Sequence, residues 1–127
     1  MKSILMLLCG AFCVVGGVLH SAFGLPALHA ELTKMNVSAQ LAQELSIFWV
    51  MASASVATFG AILLACGLRM RKQDYSGSKY ALWVAAFLVL FNAAAMVWIG
   101  KFEPHFFTFG AVGLIVVFCA LPLKSST

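Results

Sequence analysis

Four long apolar stretches, roughly Ser3 to Phe23, Leu45 to Leu68, Tyr80 to Gly100 and Pro104 to Leu123, occupy most of the 127 residues, and none contains an Asp, Glu, Lys or Arg. Each meets the requirement of about 20 apolar residues for crossing a hydrocarbon core. A segment in lipid must satisfy its own backbone hydrogen bonds, and these runs lack the period-two alternation of a membrane strand, so helices are expected rather than a barrel. The expected fold is therefore all-α: an integral membrane four-helix bundle of up-down topology, residues 1–127 forming one domain. With 63% hydrophobic and 9% charged residues and a mean hydropathy of +1.02, the composition lies outside that of soluble domains. The length leaves no room for a separate soluble domain beside four spans.

Lys2 ahead of an apolar run, and Leu28-His29-Ala30 as a small-residue cleavage site, would also suit a signal peptide. The run of about 20 residues exceeds the roughly 7 to 15 of such a segment, so a retained span is expected.

The basic residues set an orientation. Lys2, Arg69, Arg71, Lys72, Lys79 and Lys124 fall on one side of an even-numbered bundle, whereas only Lys34 and Lys101 fall on the other. By the positive-inside rule both termini are cytoplasmic, in a bacterial cytoplasmic (inner) membrane. The net charge of +4 then calls for anionic headgroups rather than nucleic acid.

A second asymmetry is independent of that rule. His20, His29, Glu31, Glu44, Glu103 and His105 all lie at the outer end, leaving Asp74 as the one inner acid. Counted from the inner anchors, His20 is slightly inside the outer boundary and His105 is at it. First and fourth helices are neighbours in an up-down ring, so His20 and His105 form the best-matched pair for a metal ion or haem, with Glu44 or His29 completing the shell. The plain alternative is that the outer loops are simply polar.

Helix two carries Gln40, Glu44, Met51, Ser55 and Thr58 at helical spacings, a face expected to turn toward protein. Ser and Thr in such helices most often serve packing and backbone bonding, and Asn92 near the midplane is expected to bond across to Ser55 or Thr58. Gly10, Gly17 and Gly24 repeat every seven residues on helix one, a small-residue stripe that permits close helix approach and turns His20 toward protein. Cys9, Cys13, Cys66 and Cys119 lie within spans with no CxxC pair, which suits packing thiols rather than disulfide chemistry. The connection 24–44 is expected to be an outer loop holding a short amphipathic helix that begins near Pro26, with Asn36 or Ser38 capping the next span.

Small multidrug exporters share this length and helix number, but they carry a buried glutamate in the first span, and here that span has none. Phosphate-binding loops, Ser/His/Asp triads and zinc-protease motifs are absent. The expectation is a non-enzymatic binding or accessory subunit of a membrane complex, joined to a membrane-protein partner or to copies of itself. The alternatives are a metal- or haem-binding protein using His20 and His105, and a small proton-coupled transporter using Glu44.

Overall fold

The computed structural model describes residues 1–121 as four helices: α1 (Lys2–Lys34), α2 (Ala39–Arg71), α3 (Ser78–Ile99) and α4 (Pro104–Ala120), with no strand among the described residues. Three of them, α1, α2 and α3, are long and apolar enough to cross a membrane, and α4 is a shorter apolar helix of 17 residues. The end of the fourth expected span and Lys124 lie outside the described residues.

The connection between α1 and α2 is much shorter than expected. Residues 25–34 form no separate helix but continue α1 through Pro26, and the link is only residues 35–38. Proline inside a helix removes one backbone donor and crowds the carbonyl four residues back, a cost of about 3 kcal/mol in isolation. Here α2 splints α1 on both sides of the proline. Gly24 lies against the Trp49 indole on one side, and His29 bonds Ser46 on the other.

The link itself has a clear chemistry. Asn36 adopts a left-handed φ of 52°, and Val37 N–H reaches back to the Leu32 carbonyl in the six-to-one bond that closes a helix end. Ser38 then caps α2, its Oγ accepting Leu41 N–H at 3.3 Å. The α2–α3 turn repeats the pattern. Gln73 has φ 60°, Asp74 N–H bonds the Arg69 carbonyl, and the Asp74 carboxylate accepts Ser76 N–H at 2.9 Å. Gly100, at φ 71°, ends α3, and Pro104 opens α4.

Two compact units are distinguishable: Ala11–Ala61, and the first ten residues taken with the chain from Ile62 onward. In the first, α1 and α2 run antiparallel, with Gly17 opposite Ser53 and Ala57, and Gly24 opposite Trp49. A Cβ on Gly17 would stand 2.6 Å from the Ser53 carbonyl oxygen, so the backbones meet at a distance only glycine allows. Ser46 and Ser53, seven apart on α2, face α1 at His29 and at His20 and Gly17.

In the second unit α3 packs on α4. The buried face of α3 is Ala81, Val84, Ala85, Leu88 and Asn92, and that of α4 includes Val112, Gly113, Val116 and Cys119. Lys2 serves the far end of α4, donating to the Leu121 carbonyl at 2.6 Å with its ammonium 5.0 Å from the centre of the Phe118 ring. A cation there complements the negative end of the helix dipole.

Candidate functional site

The most developed polar cluster among the described residues lies on the α1–α2 pair around His20. Its imidazole is stacked on the Trp49 indole, with centroids 4.2 Å apart and planes 5° from parallel. The Trp49 Nε1–H donates to the His20 carbonyl at 2.9 Å. Ser53, only 3% exposed, donates its hydroxyl to the Trp49 carbonyl at 2.9 Å and lies 2.8 Å from His20 Nδ1.

This geometry is met by one tautomer of a neutral ring in particular. A serine hydroxyl has one proton, and Ser53 gives it to Trp49, so Nδ1 carries the hydrogen and donates to Ser53 Oγ. The same logic applies at His29. Ser46 donates to the Ala42 carbonyl at 2.7 Å, so the 2.6 Å contact is His29 Nε2–H donating to Ser46 Oγ, and the lone pair is on Nδ1.

His29 and Ser46 border an open cleft of about 700 Å³ at the tip of the pair, lined also by Thr33, Asn36 and Gln43 with Leu32 and Val37 beneath. Its polar groups are amides, hydroxyls and one imidazole, with no lysine, arginine or carboxylate among them.

The other expected site residues are placed as follows. His105 is 56% exposed, rests on the Phe106 ring and has Nδ1 3.9 Å from a Glu103 oxygen. Glu44 is exposed and accepts the Gln40 amide at 3.0 Å. Ser55 and Thr58 are exposed rather than interior, each returning its hydroxyl to the carbonyl four residues back. Asn92 is buried, and its amide donates to the Leu88 carbonyl within α3 at 2.6 Å. Gly17 lies against the Ser53 and Ala57 backbone, Gly24 against the Trp49 ring, and Gly10 is buried. No group of three or more His, Cys, Asp or Glu side chains suited to a metal ion occurs among the described residues.

Trp49, Ser53 and Ser46 escaped the sequence reading. The expected polar stripe through Ser55 and Thr58 is on the opposite side of α2 from Ser53. The signal that finds the right face is the seven-residue recurrence of Ser46, Ser53, Gly60 and Gly67, which mirrors the glycines of α1.

Outside the apolar segments, two carboxylates are held below their ordinary range. Ser76 hydrogen bonds, aided by the Arg69 charge, depress Asp74, and the Lys101 ammonium followed by His105 depresses Glu103.

Fold and composition thus define an all-α protein with three helices able to cross a membrane, an arrangement suited to a lipid bilayer. Comparisons with protein-family models, with curated proteins and with solved structures found no match in any of the three.

Proposed function

We propose that this chain is a non-enzymatic binding or accessory subunit of a membrane complex, crossing a bacterial cytoplasmic membrane four times, up and down, with both termini inside. One observation carries the reading. His20, in the first apolar stretch, is tied to Ser53 and Trp49 in a mutual cross-helix lock, which is a structural use of the residue. The partner-facing surface in this reading is the outer tip of the α1–α2 pair, where the uncharged polar cleft around His29, Asn36 and Gln43 opens. A photoreactive side chain at Thr33 or Gln43 should give one discrete adduct with a second membrane protein in native membranes. The same probe at Trp98, which is 91% exposed on an apolar helix, should give lipid adducts alone. Absence of a protein adduct from both tip positions defeats the proposal.

A second reading, ligation of a metal ion or haem through His20 and His105, rests on the placing of these two histidines at the outer ends of the first and fourth apolar stretches. Metal analysis and a visible absorption spectrum of the purified protein decide it.

A further inference from the structure

The two ends of this protein treat their basic residues differently. At the expected outer side, Lys34 is paired with Glu31 at 2.7 Å and Lys101 with Glu103 at 2.5 Å. In the α2–α3 turn, Arg71, Lys72 and Lys79 are exposed and form no ion pair among the described residues. Asp74 is the one acid there, and its carboxylate accepts the Ser76 N–H. The turn is held in shape by its backbone bonds and by Arg69 Nη1 donating to Ser76 Oγ at 3.3 Å. Unneutralised positive charge is therefore presented on a fixed frame.

An apolar track leads away from that turn. Lys79 lies over the Tyr80 ring at 5.1 Å, and along the same exposed face of α3 follow Trp83 (77% exposed), Phe87 and Phe91, the last two with stacked rings. These positions are three or four apart, so they form one stripe that runs beside the face packed on α4 and outside it. From Lys79 to Phe91 the stripe rises about 18 Å, close to the roughly 15 Å depth of one leaflet's hydrocarbon.

We infer that the α2–α3 turn and the aromatic face of α3 together bind an anionic glycerophospholipid. Its phosphate lies at Arg71, Lys72 and Lys79, and an acyl chain lies along Tyr80, Trp83, Phe87 and Phe91. Charge selects the headgroup, since a zwitterionic lipid leaves the turn uncompensated. Aromatic residues beside cationic ones at one level of a helix suit the headgroup boundary. The stripe distinguishes a lipid from free phosphate, which has nothing to place on it. The inference rests on a membrane-embedded chain but not on the partner subunit proposed above.

Purified full-length protein in neutral detergent is titrated with phosphatidylglycerol, phosphatidylcholine or inorganic phosphate, reading lipid retention by native mass spectrometry and the thermal midpoint. Phosphatidylglycerol should be retained and raise the midpoint, more weakly in high salt, whereas the other two should not. At about fivefold per basic residue, the combined Arg71→Gln, Lys72→Gln, Lys79→Gln variant should lose about a hundredfold in phosphatidylglycerol affinity. Lys34→Gln with Lys101→Gln should lose nothing, and Trp83→Ala should shorten retention. Equal retention of the two lipids by the unmodified protein, unchanged preference in the triple variant, or displacement by inorganic phosphate overturns the site. Unchanged retention by Trp83→Ala overturns the seating of the chain along α3.

Discussion

His20 and Trp49 bind each other twice over. Their rings stack at 4.2 Å, and the indole N–H of Trp49 bonds the His20 carbonyl while the His20 imidazole reaches back, through Ser53, to the Trp49 carbonyl. Side chain meets backbone in both directions, so neither helix can slide by a residue without losing both connections.

The two contributions are separable by substitution. Trp49→Phe keeps an aromatic face for His20 but deletes the N–H, and should cost about 0.5–1.5 kcal/mol, the net worth of one hydrogen bond. Trp49→Ala removes the packed ring as well and should cost about 3–5 kcal/mol. Unfolding titrations in mixed micelles read both. Equal losses from the two would mean that the ring contributes nothing beyond its N–H.

Two glycines should respond to the same change with opposite sign. Gly17→Ala forces a methyl to within 2.6 Å of the Ser53 carbonyl oxygen and should destabilise by about 1–3 kcal/mol. At Gly110 the nearest atom to a new methyl is the Asn92 Cβ at 3.9 Å, an ordinary contact. Gly110→Ala should therefore stabilise by up to about 1 kcal/mol, through helix propensity alone. Thermal midpoints of the two variants, measured side by side, give the comparison.

Acid should weaken the fold through Asp74 and Glu103. Both carboxyls are depressed in the folded protein, so their stabilisation is complete above the ordinary values of 3.8 and 4.5. It is lost as pH falls through the lower folded values, where the native state must take up protons it resists. The thermal midpoint followed from pH 7 to pH 3 should decline with a gentler slope in Asp74→Asn and in Glu103→Gln. A steeper acid decline in either variant would contradict the assignment.

Orientation gives the fourth test. A reporter inserted after Asn36 should be active on the outer side of the membrane only, and one inserted after Gln73 on the cytoplasmic side only, as the uneven distribution of Lys and Arg requires. Finding both insertions on one side would remove the four-span topology.

The helices were legible because hydropathy over some twenty residues is a coarse property that no single side chain can disguise. Gly17 and Gly24, two members of the seven-residue glycine spacing, lie close against α2. Pro26 misled, since a proline signals a helix start only when nothing holds the chain on both sides of it, and here α2 does so through Trp49 and Ser46. Ser53 was missed for a different reason. In α2 polar and small residues occur on more than one face, and choosing between Ser53 and Ser55 requires knowing which face meets α1. Asn92 shows the same limit, because an amide can be satisfied by its own helix and the sequence does not say which acceptor wins.

With 33 residues each, α1 and α2 are about 50 Å long, against a hydrocarbon thickness of about 30 Å. Even at a steep tilt of about 40° they would still overshoot by about 8 Å. In the proposed four-span topology the pair would be a spacer as well as an anchor. Adding or deleting a turn in both arms near the tip would raise or lower the His29 cleft by about 5.4 Å while leaving the embedded portion untouched. With the excess on the outer side, as that topology proposes, the standoff between the cleft and the bilayer surface is a dimension written in residue count, adjustable in steps of one helical turn.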